Sequence, residues 1–290
     1  MHLFRIALLS TLCLAGCGGA SSTQATDPFP AYDLVFLSGR SGTSHLYRLN
    51  VETRALSQMT SGDSSVFAPQ WSPLRAALLY VSNKTDPASV IQWDTDTPRI
   101  LYPDPSLDEG PTESPVLPQI AFSDGQDIYI ADTQGTNPRR VTSDSATDKQ
   151  PRWSPDGRQL VFVSDRAGNQ DIWTLDLATQ TFRNLTQHPA LEGHPEWSPD
   201  GTRILYYRYE NGDADLYIAD VETGEARNLT QSEGNELVGQ WSPDGTWIAF
   251  GSARTDDWDL YRVRHDGSDL ERLTDSPGFD GAPAWIPSMY

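Results

Sequence analysis

The sequence predicts an all-β fold, a six-bladed β-propeller of four-stranded blades. Three observations predict it. The stretch WSPDG occurs three times at a constant spacing of 44 residues, with its tryptophan at Trp153, Trp197 and Trp241. A period of roughly 20–50 residues is typical of propellers and solenoids. Each copy is followed by short apolar or aromatic runs rather than a helical period, and the 22 glycines and 21 prolines supply many turns.

The first strand of each repeat ends at the WSPDG position. Further copies of this marker lie at Trp71 and Glu113, each followed by Ser-Pro, and at Trp285. In SPDG, proline suits the second position of a type I turn, aspartate the third, and glycine the left-handed conformation that closes a hairpin. The stretch is therefore interpreted as a structural turn between the first and second strands, with no catalytic role.

The second and third strands follow each turn as an apolar run and an aromatic run. The second strands begin at residues 34, 78, 120, 160, 204 and 248, and the third strands include 45–47, 90–93, 127–129, 171–173, 215–217 and 259–261. Most repeats close on a short fourth strand with leucine or valine before threonine, as at Leu185-Thr186. Six sets of these three strands predict six blades.

The two ends of the repeat array complement each other. The set that begins at residue 34 has no first strand before it, because residues 27–30 read DPFP, while the strand around Trp285 has nothing after it. The strand around Trp285 is therefore predicted to supply the inner strand of the first blade. This arrangement closes the ring and removes two exposed sheet edges.

The N-terminus reads MHLFRIALLSTLCLAGC, and its apolar run over residues 6–14 is too short to span a bilayer. Leu14-Ala15-Gly16-Cys17 resembles the lipobox of bacterial lipoproteins. That resemblance implies a signal peptide over residues 1–16, a lipidated Cys17 and a flexible tether over residues 17–30, before a propeller over residues 31–290. The glycine after Cys17 resembles the outer-membrane sorting pattern, which implies a body facing the periplasm. The alternative is an ordinary signal peptide.

The whole repeat has the pattern P-x-W-S-P-D-G-x-x-L/I-x-F-x-S-x-R-x-G-x-x-D-I/L-Y/W. It resembles the WD40-like (PD40) repeat of TolB-type six-bladed propellers and covers nearly all of residues 31–290. The resemblance implies a non-enzymatic, monomeric scaffold of the cell envelope that binds another envelope protein through its loop face and channel mouth. The chain departs from that family because it leaves no room for the separate α/β domain that precedes the propeller in TolB proteins.

The charge excludes one class of partner. The chain carries 40 acidic and 21 basic residues, a formal net charge of −19. Such a surface repels phosphate backbones, so nucleic acid is not an expected partner. Basic protein segments and cations remain compatible with it.

An acidic residue stands five positions before most first-strand markers. Five of the six positions are Asp108, Asp148, Glu192, Glu236 and Asp280, and the sixth is Val66. Sixfold symmetry would place these carboxylates around the channel mouth. One interpretation is an electronegative ring that binds a cation, calcium in particular, or a basic segment. The other is that each carboxylate caps a loop by accepting backbone N–H bonds. No other cofactor is predicted.

Charged residues also follow the second strand. Arg40, Arg166 and Arg254 are expected to pair with nearby aspartates of the next strand, such as Asp171 and Asp259, and so to brace the loop. The fifth repeat breaks the S-x-R pattern. Its Arg208, Tyr209 and Glu210, together with His194 and Trp258, form a candidate patch for a protein partner or a sugar. The alternative is sequence drift.

No catalytic residue is nominated, because the sequence contains neither G-x-S-x-G nor H-E-x-x-H. The enzymatic alternative is a polysaccharide-binding or polysaccharide-lyase propeller that holds a metal with His45, His188 and His194. A further alternative is a calcium-dependent adaptor. The expected function is the scaffold.

Overall fold

The computed structural model describes residues 32–84, 88–93, 98–103 and 110–288. In these ranges, 24 β-strands form six four-stranded antiparallel sheets, which confirms the predicted six-bladed propeller. Within the same ranges, no helix is long and apolar enough to cross a bilayer. The predicted signal peptide, the lipidated Cys17, the tether and Asp108 lie outside the described residues.

Blades one to three take up the first half of the ring, and their strands run from the channel outwards in the order inner, second, third and fourth. Blade one consists of β24 (Asp280–Pro287), β1 (Tyr32–Ser38), β2 (His45–Asn50) and β3 (Leu56–Gln58); blade two of β4 (Val66–Ser72), β5 (Ala77–Ser82), β6 (Ser89–Trp93) and β7 (Arg99–Pro103); blade three of β8 (Thr112–Glu113), β9 (Gln119–Ser123), β10 (Ile128–Asp132) and β11 (Arg139–Arg140).

Blades four to six are the WSPDG blades and have the same strand order. Blade four consists of β12 (Asp148–Trp153), β13 (Gln159–Ser164), β14 (Asp171–Asp176) and β15 (Thr181–Asn184); blade five of β16 (Leu191–Trp197), β17 (Arg203–Glu210), β18 (Asp213–Asp220) and β19 (Ala226–Asn228); blade six of β20 (Glu236–Trp241), β21 (Trp247–Ser252), β22 (Asp259–Arg264) and β23 (Glu271–Arg272).

The ring closes as predicted. Strand β24 pairs antiparallel with β1, and Trp285 lies opposite Leu34 in the register. Trp285 is only 6% exposed and belongs to a core cluster with Leu34 and Phe36. Closure therefore buries apolar surface as well as pairing two strands that would otherwise be edges.

The SPDG turns have the predicted geometry. The N–H of Gly157 donates to the carbonyl oxygen of Ser154 at 2.9 Å, and Gly157 has a φ of 70°. The Ser154 hydroxyl donates to the Asp156 carboxylate at 2.6 Å and accepts the N–H of Gln159 at 2.9 Å. The same contacts recur at residues 198–203 and 242–247. A type I turn closed by a left-handed glycine thus joins the first and second strands of these blades.

The repeated tryptophans connect neighbouring blades. Three indole N–H groups donate to a carbonyl oxygen in the inner strand of the preceding blade: Trp153 to Thr112 at 3.2 Å, Trp197 to Arg152 at 3.3 Å and Trp285 to Gln240 at 3.1 Å. The indole nitrogen of Trp241 is buried without a hydrogen-bond partner among the described residues. In blade three, Glu113 occupies the tryptophan position. It forms an ion pair with Arg75 of blade two, Nε to Oε1 2.7 Å, so blades two and three are joined by charge instead.

Five of the six inner strands contain a bulge that the sequence did not reveal. The residue three positions before the marker has a left-handed φ in all six blades: Ala68, Gly110, Gln150, His194, Val238 and Ala282, with φ between 46° and 88°. The register shifts at the bulge in blades one, two, four, five and six. Proline follows the bulge residue in five blades. Proline suits this position because a bulge leaves one residue unpaired and proline has no N–H to lose.

The propeller has two distinct ends. The loop face carries the loops that enter each inner strand and the loops between second and third strands. The turn face carries the SPDG-type turns and the turns between third and fourth strands. Strand β1 begins on the turn face, where Tyr32 pairs with Pro287.

Candidate functional site at the loop face and channel

The inner strands of all six blades enclose a central cavity of about 500 Å³. Its wall is polar on one side, where Arg152 Nε lies 3.5 Å from Glu196 Oε2 and Gln240 Nε2 donates to the same oxygen at 3.3 Å. The lining continues with Gln70 in blade two, Thr112 in blade three and Ala284 in blade one. Polar side chains therefore line the channel in five of the six blades.

The four described acidic residues of the predicted ring begin the inner strands at the loop face. Asp148, Glu192, Glu236 and Asp280 are all 0% exposed. In blade two, Val66 takes the equivalent position and is also buried. The predicted placement at one end of the inner strands is therefore seen, but the carboxylates lie inside the blades rather than facing the channel opening.

Each of these four carboxylates pairs with one arginine. The N–O distances are 2.7 Å for Arg166–Asp148, 2.9 Å for Arg208–Glu192, 3.1 Å for Arg254–Glu236 and 2.7 Å for Arg40–Asp280. The arginine side chains are themselves 10–19% exposed. Because each negative charge meets a positive one inside the protein, these four residues do not form an uncompensated negative ring. The geometry favours a structural role for the carboxylates. They accept hydrogen bonds from arginine side chains rather than from the expected backbone N–H groups.

The same arginines lie over aromatic rings of the second and third strands. In each blade the two rings face each other across the strand pair: Phe36 and Tyr47, Phe162 and Trp173, Tyr206 and Tyr217, Phe250 and Tyr261. The guanidinium carbon lies 4.3–5.8 Å from these ring centroids. We call the carboxylate, the arginine and the two rings a clasp. A clasp ties the start of the inner strand to the second and third strands of its own blade.

The predicted pairing of these arginines with the aspartates of the third strand is wrong. Asp171 instead accepts a bond from Asn184 Nδ2 at 2.7 Å, and Asp259 pairs with Arg272 at 2.6 Å. Asn184 and Arg272 both stand on the fourth strand of their blades. The third-strand aspartate therefore holds the outer edge of the blade, while the arginine turns inward to the first strand.

Blade five completes its clasp from a different position. Arg208 lies opposite Glu192 in the register, where blade four has Ser164 opposite Asp148. Its guanidinium still lies 4.3 Å from the Tyr217 ring. The contact between arginine, carboxylate and aromatic rings is therefore kept in blade five although the S-x-R pattern is broken. An arginine on the second strand replaces the arginine of the following loop.

The five residues of the candidate patch do not form one exposed surface. Arg208 is 9% exposed and is used in the clasp. His194 lines the central cavity, with its ring 5.5 Å from that of Tyr207. Trp258 packs against Phe279 at 5.9 Å. Tyr209, 46% exposed, and Glu210 remain available on the loop face.

Two apolar residues of the loop face were missed by the sequence analysis. Leu191 is 50% exposed and lies directly opposite Tyr209 in the register. Phe279 is 41% exposed. Together with Tyr209 they form what we call the loop-face apolar set, which belongs to blades five and one, with Trp258 of blade six against Phe279. Nothing in a repeat pattern shows which loop positions stay exposed, so no sequence signal marks these two residues.

Burial also changes the ionisation of the clasps. Burial raises the pKa of Glu192 to about 7, although Thr186 and Arg208 act to lower it. Burial likewise raises the pKa of Glu236. In both residues the cost of desolvating a carboxylate outweighs the attraction of its arginine.

This shift predicts a pH dependence that belongs to Glu192. Its pKa is about 7 in the folded chain against an ordinary value of 4.5. The folded state holds the proton more tightly, so this group's contribution to stability is full below about pH 4.5 and is lost as the pH rises through 7. The wild type therefore loses stability between pH 5 and pH 8, and Glu192→Gln, which has no carboxyl group at this position, does not. The free energy of unfolding of Glu192→Gln minus that of the wild type should increase over this range, by on the order of 3 kcal/mol at most.

Urea unfolding at a series of pH values measures this difference, with the exposed Glu210→Gln as the matched control. A difference for Glu192→Gln that is flat with pH, or that falls as pH rises, would show that burial does not govern this carboxylate.

In the part of the chain that the structure describes, the side chains do not form a metal-binding site. Within those residues, no group of three or more His, Cys, Asp or Glu side chains is placed to hold a metal ion. His45, His188 and His194 accordingly do not form such a group. Calcium binding to the ring stays a prediction, since Asp108 lies outside the described residues.

The repeats and the blade geometry agree with comparisons to known proteins. The family described as "TolB beta propeller domain" matches residues 183–289, and the family described as "Tricorn protease N-terminal beta propeller domain" matches residues 117–212. The chain is a TolB-like six-bladed β-propeller. Between them, the two families span the WSPDG blades.

Relatives of the TolB-like propeller agree with this assignment. The chain is 33% identical over 141 residues to "Protein TolB homolog" of Chlorobium luteolum, covering 47% of this chain and 32% of that protein. It therefore spans about a third of the length of that relative. The crystal structure of TolB from Acinetobacter baumannii superposes with a TM-score of 0.78 at 23% identity, covering 88% of this chain and 67% of that one.

An enzyme shares the fold. An oligogalacturonate lyase in complex with manganese has a TM-score of 0.55 at 18% identity, covering 83% of this chain and 73% of that one. At this identity the likeness concerns the fold alone. Function must be argued from the residues of the propeller itself.

Proposed function

We propose that this TolB-like propeller is a non-enzymatic scaffold of the cell envelope that binds another envelope protein through its loop face and channel mouth. In this proposal Cys17 carries a lipid, and the protein is an outer-membrane lipoprotein whose body faces the periplasm. The observation that carries the proposal is the loop-face apolar set, held on a face that four clasps make rigid.

Exposed large side chains support protein binding. Leu191, Tyr209 and Phe279 are 41–50% exposed. Exposure of apolar and aromatic surface to water is unfavourable, so a partner that covered these side chains would gain binding free energy. Tyrosine and other aromatic residues are frequent anchors at the centre of protein interfaces. The clasps beneath them fix the strands, so binding would need little ordering of the backbone.

The charge of this face favours a basic partner. The four described ring carboxylates are paired with arginine, so the negative potential comes from exposed acids of this face, such as Glu210, Glu233 and Asp257. These belong to the loops of blades five and six. Together with a net charge of −19, they would attract a partner with lysines and arginines around an apolar centre.

The alternative is a polysaccharide-binding or lyase-type propeller. Its support is the channel, where Arg152, Glu196 and Gln240 form a polar wall, and the fold shared with an oligogalacturonate lyase. A sugar would then bind in the channel, and the loop-face apolar set would have no part in it.

Site-specific crosslinking in cells separates the two. A photoreactive amino acid at Tyr209 should crosslink a defined envelope protein, while the same group at Ala178, which is exposed on the turn face, should not. Equal crosslinking from both positions, or none from Tyr209 together with binding of the purified protein to a glycan array, would refute the scaffold in favour of the alternative.

A further inference from the structure

The turn face is apolar in two adjacent blades. Blades four to six carry SPDG between their first and second strands, but blade two reads SPLR and blade three SPVL. Three of the four side chains that replace the aspartate and glycine are exposed and apolar: Leu74 by 47%, Val116 by 50% and Leu117 by 41%. We call these three residues the turn-face apolar patch.

The patch is held in place by its neighbours. Arg75, next to Leu74, pairs with Glu113 of blade three at 2.7 Å, which joins the two turns. Val116 lies against blade four, because a side chain added at Gly157 would collide with it. The patch therefore lies over two blades and the edge of a third on a braced surface.

The corresponding turns of blades four to six are charged instead. In blades four to six the corresponding turns carry Asp156, Asp200 and Asp244, and the first two side chains are 59% and 53% exposed. Arg158 and Arg203 pair with the first two of these aspartates, so the first-to-second strand turns are apolar in blades two and three and charged in blades four to six. An apolar region bounded by charge on one side is typical of a surface that meets a bilayer at an angle.

The position of the first propeller strand decides which face is held near a membrane. Strand β1 begins on the turn face at Tyr32, in blade one, which adjoins blade two. The segment between Cys17 and residue 31 can reach at most roughly 50 Å when fully extended. A tether that joins the propeller at the turn face favours that face, rather than the loop face, as the side towards the membrane.

We infer that the turn-face apolar patch rests on the surface of the lipid bilayer that carries the anchor. This inference rests on the proposed lipid at Cys17. Contact through Leu74, Val116 and Leu117 tilts the charged turns of blades four to six away from the headgroups. It also leaves the loop face, with its apolar set, directed into the aqueous space where a partner can reach it.

Single introduced cysteines test this orientation. The chain has two cysteines, Cys13 in the predicted signal peptide and Cys17 at the lipid position, so an added cysteine is the one free thiol of the mature chain. Val116→Cys reports the patch, Ala178→Cys the charged blades of the turn face, and Ser41→Cys the loop face. Each full-length lipidated variant is labelled with an environment-sensitive fluorophore and reconstituted in phosphatidylcholine vesicles that contain a headgroup spin label.

The fluorophore at residue 116 should be quenched at least about threefold more strongly than those at residues 178 and 41. Adding Leu74→Ser and Leu117→Ser should reduce its quenching to the level at residue 178, because the apolar contact is lost. Vesicle binding with equal quenching at residues 116 and 41, or with quenching unchanged by the two serines, would overturn the inference and leave the scaffold proposal standing. Failure of the lipidated chain to bind vesicles would overturn the anchor and this inference together.

Discussion

Replacing Trp285 with alanine should lower the free energy of unfolding by about 3–5 kcal/mol. Trp285 is 6% exposed, packs in the core cluster with Leu34 and Phe36, and donates its indole N–H to Gln240 at 3.1 Å. The substitution leaves a cavity at the point where β24 closes the ring. Urea unfolding followed by tryptophan fluorescence or circular dichroism gives the value.

Trp285→Phe is the matched control for this experiment. It keeps most of the apolar contact and removes the N–H donor, so a cost of about 1–2 kcal/mol is expected. A loss below about 1 kcal/mol for Trp285→Ala would mean that blade one is stable without the strand that closes it, and the closed-ring account would then be wrong.

Replacing Arg166 with alanine should destabilise the chain by about 3–5 kcal/mol, because it leaves the carboxylate of Asp148 buried without a counter-charge. Asp148 is 0% exposed and lies 2.7 Å from Arg166 Nη2. The same change removes the guanidinium from the rings of Trp173 and Phe182, at 5.0 and 4.4 Å. Chemical denaturation measures the loss.

Two further variants show whether the buried charge is responsible. Arg158 also pairs with an aspartate, Asp156, but its side chain is 82% exposed, so Arg158→Ala should cost no more than about 0.5 kcal/mol. Adding Asp148→Asn to Arg166→Ala should recover part of the loss, because a neutral amide costs less to bury than a carboxylate. If Arg166→Ala costs no more than Arg158→Ala, the clasps do not hold the inner strands.

The sequence predicted the ring because each element of it has a local signature. The SPDG turn is encoded in four adjacent residues, and the missing first strand before residue 34 matches the surplus strand at Trp285. The bulges were not predictable in this way. His194 and Val238 adopt a left-handed φ although neither is a glycine, because the surrounding strand pairs impose it.

The acidic residues could be found from the repeat spacing, but the arginines that pair with them could not. Counting back from the markers leads to Asp148 and Glu192, near the start of their inner strands. The expected channel mouth is not where their carboxylates lie, because both are buried inside the blades. Which arginine pairs with each carboxylate depends on distances across the blade. Asp171 is five residues from Arg166 in the sequence, but it is not the residue with which Arg166 pairs. Arg208 was taken as a departure from the repeat because register, and not sequence position, shows that it replaces Ser164.

The asymmetry of the ring also emerged only in three dimensions. Blade two has Val66 in place of the ring acid, and blade three has Glu113 in place of the tryptophan. The same two blades expose the turn-face apolar patch. Departures that look like unrelated drift in the sequence thus fall in two adjacent blades.

The central claim is that the loop face binds a protein partner, and the most direct test is the affinity of the partner captured from Tyr209. The variant with Leu191→Ser, Tyr209→Ser and Phe279→Ser should bind this partner at least about 100-fold more weakly than the wild type. The matched variant of the other face, with Leu74→Ser, Val116→Ser and Leu117→Ser, should bind within about threefold of it. Wild-type affinity in the loop-face variant, or a larger loss in the turn-face variant, would contradict the account.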